Sequence, residues 1–573
     1  FKQKTAYEIM PSLVGSEMCI RDSHIGEDLY LINTGDQDDY PLMEGFGNYT
    51  ILTGIENITA AVQVGPMAEY LAIGHATTDL APYRRYMYVG YNPGIARIRR
   101  GTIDALIEPL PHVPQGLAPL RNAIWYYEGS WLYSTAGDAI DVGSSINGIA
   151  LGRMDVWLAT DAGVKRYDPR SGVMTDVYAG QGHVIDANRY GMAWFVVDDK
   201  LVRYTRSGMT EYNLTLVPNS ISVGRRGVWL AFGDRLAFFD GSDWTWYNDT
   251  QAQFVTEGRR ITWFTTPTGY GYIKRGELYE FQGSLGTKVE MDWSGTTYFM
   301  APEGVNIVGK RGKITHIELD PPLMVQGAYW PYYVLADWTL YKMEDGNGTV
   351  VTGGAVPLVY APGYVWTADD NDLVRVKVSD GNVTKVEIPY DEPILGIAIS
   401  RYGIWFYTSN HVGLYDTDEE EFSTTVDVGE IVDACADRRG NFWFIKDGQV
   451  GMVSKDGTVS TKDLAFTPVL MALGRRTDIW MVDDTGQVWR LRGMAADPEL
   501  VLAFASVPKD MIADRRGNPW FAFDGFITKY DARRGEGHVY WIDADHLELT
   551  RYGDIMAYKD NVIHLISMRT RFY

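Results

Sequence analysis

The chain has 573 residues, 46% of them hydrophobic and 13% aromatic, enough to bury large cores in more than one domain. Its formal net charge of -22 argues against a general nucleic-acid or anionic-membrane surface. Two cysteines, Cys19 and Cys435, exclude a disulfide framework, and no apolar run approaches the ~18 to 20 residues that span a bilayer.

Residues 1–23, FKQKTAYEIMPSLVGSEMCIRDS, lack the basic start and apolar core of a signal peptide. They resemble a translated sequencing-adaptor read-through, so a non-native or disordered leader is expected there, with the true N-terminus missing. From His24 to about Thr53 the segments EDLYLINTG, YPLMEGFG and NYTILTG read as the later strands of a blade whose first strand is absent or supplied from elsewhere. Residues 55–110 are the least regular part. There YMYVGYNPGIARIRRGTIDALIEPL holds three strands, and EYLAIGHATTDLAPYRR precedes them as an elongated first strand and loop.

Regular units begin at Asn122, and the clearest of them spans Ala434 to Leu464. An apolar run to Cys435 leads into Asp437-Arg438-Arg439-Gly440, a tight turn with a glycine available for positive φ. Phe442-Trp443-Phe444-Ile445 then reads as a buried strand, with two further strands after the turns at Lys446-Asp447-Gly448 and Lys455-Asp456-Gly457. A Trp in the same second-strand position recurs at Trp125, Trp157, Trp194, Trp229, Trp263, Trp366, Trp405, Trp480 and Trp520, at intervals of roughly 32 to 40 residues. Tyr298 and Tyr333 fill the long gap after Trp263. A single small sheet cannot bury both its faces, so repetition at this period predicts an all-β fold of face-packed blades, the β-propeller. About seven units precede the segment Gly283 to Thr297 and about seven follow it, which predicts two tandem propellers, residues 24–290 and 291–573. Partial units at both ends suit ring closure by a shared blade and equally suit a truncated fragment.

The units DVWLATDAGVKRYDPRSGVMTDV (155–177), ADRRGNFWFIKDGQVGMVSKDG and ADRRGNPWFAFDGFITKYDARRG resemble the two-component regulator propeller repeat. That resemblance implies paired seven-bladed propellers acting as the extracytoplasmic sensor of a membrane receptor, often for oligosaccharides. TWFTTPT (262–268), IWFYTSN (404–410) and FWFIKDG (442–448) are also similar to streptogramin-lyase propellers, without the acidic residue that follows W-F-T there.

The nine histidines are scattered without ligand spacing, and no metal or cofactor is expected. Acidic clusters at Asp36/Asp38/Asp39, Asp369/Asp370/Asp372 and Asp416 to Glu421 fall at hairpins and read as solvated turns. The most ordered polar feature is an arginine four or five positions before the second-strand aromatic: Arg153, Arg189, Arg225, Arg259, Arg401, Arg438, Arg475 and Arg515, with Arg551 likewise before Met556. Repetition places these guanidinium groups at the turn between the first and second strands, hence on one mouth of a ring, where arginine can hold carboxylate or sulfate bidentately.

A non-catalytic ligand- or carbohydrate-binding module is therefore expected, the sensor part of a receptor by resemblance, with Arg401, Arg438, Arg475 and Arg515 as ligand contacts and a small molecule or oligosaccharide, anionic in character, as partner. The alternatives are a propeller lyase or hydrolase of the streptogramin-lyase type and a protein-interaction scaffold. Deleting Phe1 to Ser23 is expected to leave the melting temperature unchanged in differential scanning calorimetry, because the segment carries no repeat pattern with which to pair. A loss of several degrees would place it in the fold.

Overall fold

Side chains alternate across a strand, so a strand that is apolar at every position needs cover on both sides. Phe442–Lys446 shows how the chain supplies it. Phe442 and Phe444 pack back on Trp405, Val412 and Leu414 of the preceding sheet. Trp443 and Ile445 pack forward on Ile479 and Met481 of the following one. The computed structural model describes residues 29–33, 49–53 and 57–571, apart from 100, 121–122, 189–190, 225, 259–260, 354–357, 362, 438, 447, 475–477 and 551–552. The leader at 1–23 lies outside the described residues, which are strand, turn and loop with no helix among them.

Asp433–Ala436, Phe442–Lys446, Gln449–Val453 and Val459–Asp463 form a four-stranded antiparallel meander in chain order. Gly440 turns the first strand into the second at φ +95°, a conformation that a side chain would strain. The same plan recurs along the chain, and the expected aromatic is buried in each second strand, from Trp157 and Trp194 to Trp405 and Trp480. Tyr298 and Tyr333 are fully buried in the equivalent place.

Two further residue types of the repeat have packing reasons. In the third strands, a Cβ added at Gly271, Gly413 or Gly451 would lie 2.3, 2.2 or 2.1 Å from a ring carbon of Phe264, Phe406 or Phe444. Only glycine leaves room for that ring. Third-strand Arg166, Arg203, Arg375 and Arg490 pair in register with Trp157, Trp194, Trp366 and Trp480. Each guanidinium stands 5.3 to 5.9 Å from the indole centroid, a cation–π distance that covers the ring and keeps the charge near water.

The chain forms two compact units, each drawn from three stretches. One comprises Gln63–His316, Asn518–Ala544 and the described residues from His564. In it, complete meanders start at Thr77, Gly116, Ile146, Gly182, Ser220 and Phe254, and their first strands lie side by side. Val289–Met291 continues the series and lies beside Thr77–Tyr83, closing the ring of innermost strands. The segment where a joint was expected, Gly283 to Thr297, thus holds an innermost strand of this unit. The other unit comprises Ile317–Gly517, Asp545–Ile563 and the described residues up to Val62. Its meanders start at Val325, Val359, Gly396, Asp433 and Pro468, and the first strands Asp510–Ala513 and His546–Leu549 extend the row. Four-stranded meanders stacked face to face with their first strands innermost are the β-propeller arrangement.

Trp443, 2% exposed, anchors one such interface, so Trp443→Ala is expected to cost roughly 3 to 5 kcal/mol in urea denaturation. A cost under 1 kcal/mol, on the scale of about ±0.5 kcal/mol for a surface change, would contradict the packing described here.

Candidate functional site

Innermost strands of neighbouring meanders share no ladder, so their backbone amides need other acceptors. Carboxylates supply several. Asp79 Oδ2 accepts the Leu117 amide at 2.7 Å, and Asp186 Oδ2 accepts that of Val223 at 2.6 Å, each from the next first strand. Asp433 and Asp510 do the same for Met471 and Leu547 in the other unit, both at 2.7 Å. These first-strand aspartates, which sequence reasoning passed over, hold successive blades together.

Inside the ring of the unit built on Gln63–His316 is a cavity of about 3350 Å³. Asp79, Asp186, Glu257 and Glu290 on its inner strands, and Lys288 just before the strand Val289–Met291, contribute to the lining. Lys288 Nζ lies 2.5 Å from Asp79 Oδ1 and 3.9 Å from Glu290 Oε1. Burial works against the Lys288 charge, but Asp79 and Glu290 outweigh it and hold the ammonium above its usual range. Glu290 is pushed up to about 8 by burial, and the nearby Asp186 and Asp79 charges add to the shift. The Lys288 ammonium opposes burial more than any other group, but does not overcome it. Burial likewise pushes Asp186 up to about 6, against the two backbone amides it accepts. Water still reaches the Glu290 side chain, which is 25% exposed to the cavity, so this carboxyl can exchange its proton.

The rim has the opposite charge. Arg84, Arg85, Arg153, Arg226 and Arg275 line the same cavity from turns that join first to second or third to fourth strands. In an up-and-down meander those turns emerge on one side. All five are exposed. Trp293, half exposed, stands on the rim with its ring 6.0 Å from that of Tyr83. Its amide donates to the Arg84 carbonyl at 2.9 Å, and the Arg84 guanidinium lies 5.3 Å from the Tyr83 ring centroid.

Of the arginines expected as contacts, Arg401 and Arg515 are exposed at first-to-second-strand turns of the other unit. The Arg401 guanidinium stacks 4.9 Å from the Tyr402 centroid, and Arg515 leans on Gly553, where a Cβ would meet its Cδ at 2.6 Å. Arg438 and Arg475 lie outside the described residues, as do Arg189, Arg225, Arg259 and Arg551. Arg153 is the member of the series that the structure places on the cavity rim. The acidic turns serve their own loops: Asp416 Oδ1 accepts the amides of Asp418 and Glu419, and Asp369 pairs with Lys385. Asp36/Asp38/Asp39 lie outside the described residues. Among the described residues no group of three His, Cys, Asp or Glu side chains is arranged to hold a metal ion, and no helix is long and apolar enough to cross a membrane. Cys435 is half-buried, and burial together with Asp433 and Asp437 pushes its thiol up.

No family model matches the chain, and no curated protein sequence matches it. Among solved structures, one similar fold is the extracellular domain of a protein taken as a hybrid two component system of B. thetaiotaomicron. The two share 10% identity at a TM-score of 0.46, over 87% of this chain and 83% of that one. Streptogramin B lyase is another, at 15% identity and a TM-score of 0.37 over 44% of this chain and 98% of its own. PorZ, a bacterial surface component of the type-IX secretion system of Porphyromonas gingivalis, shares 12% identity at a TM-score of 0.33, over 88% of this chain and 87% of that one. The first two are of the kinds that the repeat motifs resemble.

A carboxyl raised from 4.5 to about 8 binds its proton more tightly in the folded than in the unfolded chain. Its contribution to stability is present below the unfolded value and is lost as pH rises through the folded one. Glu290→Gln should therefore flatten the decline in stability between about pH 5 and about pH 8.5 measured by urea denaturation. An unchanged slope would show that Glu290 titrates normally.

Proposed function

We propose that the chain forms two β-propellers of about seven four-stranded blades each and acts as a non-catalytic module that binds a carbohydrate or related small molecule. The observation that carries this reading is the cavity of about 3350 Å³, with an aromatic platform at its rim and a polar inner wall. Its size suits an oligosaccharide, since single drug-sized ligands occupy roughly 300 to 1,000 Å³. Asp79 and Asp186 support a binding role over a chemical one, because each already accepts a backbone amide that ties inner strands together. Arg401, Arg438, Arg475 and Arg515 are proposed as ligand contacts of the second propeller. A sensor role outside the cytoplasm rests on the resemblance of the repeats to the two-component regulator propeller.

A lyase or hydrolase is the second reading. One observation favours it: Glu290, held proton-bearing near neutral pH beside Lys288, has the character of a general acid.

Calorimetric titration of the whole chain with a panel of neutral and charged oligosaccharides is expected to give saturable binding of at least one of them with no change in the ligand. Cleavage of the bound ligand, abolished in Glu290→Gln, would replace the binding module with the enzyme. Absence of binding across the panel would overturn both readings.

A further inference from the structure

The lining of the cavity is divided by charge. Arg84, Arg85, Arg153, Arg226 and Arg275 reach the rim from four different blades, and none makes an ion pair among the described residues. The inner-strand carboxylates lie deeper: Asp186 and Glu290 are two or more residues before their turns, and Asp79 lies further back beside Lys288. Two carboxylates of the lining, Asp138 and Asp292, sit in rim-side turns, where Asp138 accepts the Ser134 hydroxyl and Asp292 the amides of Ser294 and Thr296. Five exposed, uncompensated guanidinium groups on a chain of net charge -22 are a local inversion of sign. Concentrated around a concave opening with protein walls, they focus a positive potential at the entrance.

Guanidinium groups recognise planar or tetrahedral oxyanions through paired N–H donors, and a crown of them accepts several such groups spaced along a chain. The acidic inner wall sets the orientation. A carboxylate or sulfate entering deeply would meet the Asp186 and Glu257 carboxylates, whereas hydroxyl groups could donate to them. Trp293 and Tyr83 supply the apolar surface on which one face of a sugar ring rests, and the bond from the Trp293 amide to the Arg84 carbonyl fixes that platform to the basic turn. We infer that the rim of this cavity binds an anionic oligosaccharide, with its acidic groups on the arginine crown and its hydroxyls directed toward the acidic wall. The inference rests on the binding reading above and names the ligand class for that same cavity.

The test compares three probes of equal length by calorimetric titration: an oligogalacturonide, its methyl-esterified neutral form, and a sulfated oligosaccharide. The proteins are the whole chain, an Arg153→Ala/Arg226→Ala double variant and Trp293→Ala. The acidic probes are expected to bind at least roughly tenfold more tightly than the neutral form, with an affinity that falls as salt rises. In the double variant that preference should disappear while the neutral form binds as before, which shows that the protein is still folded. Trp293→Ala should weaken acidic and neutral probes alike. A stronger response to uronate than to sulfate, or the reverse, identifies the acidic group and upholds the inference. Equal affinity for acidic and neutral probes would overturn the inference and leave the binding module standing. Failure of every saccharide, including the panel of neutral ones, would overturn both. Binding of an acidic peptide or a single-stranded oligonucleotide in place of the saccharides would overturn the assignment of ligand class.

Discussion

A four-stranded sheet of five-residue strands has two apolar faces and too few strands to close on itself, so each blade is stable only between two others. The chain meets this constraint in its second strands, where odd and even positions serve different neighbours. Phe442 and Phe444 belong to one interface, Trp443 and Ile445 to the next. Strain in the ring is limited by the smallest side chains. Gly451 leaves the space that the Phe444 ring occupies, and Gly413 and Gly271 do the same for Phe406 and Phe264.

The centre of a ring is where this apolar solution fails. First strands converge on the axis with one edge unpaired, and their amides are met by carboxylates from the preceding blade, as at Asp186 and Val223. Holding carboxylates in a partly enclosed space raises the pKa of some of them, and Glu290 is the strongest such case in the unit built on Gln63–His316. The acidity of the cavity wall is thus a by-product of how the blades are joined. Its arginine rim is not, because those side chains leave turns that need no cation to close. Arginines that pack belong to a different set: Arg166, Arg203, Arg375 and Arg490 lie on the indoles of their own blades and are separated from the rim by their position on third strands.

The blade plan was legible because it rests on local signals that repeat: a buried aromatic, a glycine turn and a change of burial from the second strand to the fourth. Tyr298 and Tyr333 could be placed despite the missing Trp, since position in the repeat fixed their burial. Of the turn arginines read from the repeat, Arg153 reaches the cavity. Arg84, Arg85 and Arg275 were not legible, because they leave the least regular blade or a third-to-fourth-strand turn. The first-strand aspartates carried a faint signal in Val184-Ile185-Asp186-Ala187 and Val432-Asp433-Ala434-Cys435. It was overlooked because half-polar inner strands carry little hydrophobic pattern.

By itself the sequence determined the all-β class, the blade as the folding unit and the buried aromatics. All of these follow from spacing within about 40 residues, the range over which a repeat speaks for its own structure. Only the tertiary structure decided which charged groups meet. Lys288 and Asp79 stand far apart in the chain and come together because Val289–Met291 lies beside Thr77–Tyr83. Trp293 joins Tyr83 and Arg84 by the same adjacency. A ring brings its first and last blades into contact without any local signal, so the chemistry of the cavity is written in pairs of residues that no repeat length predicts.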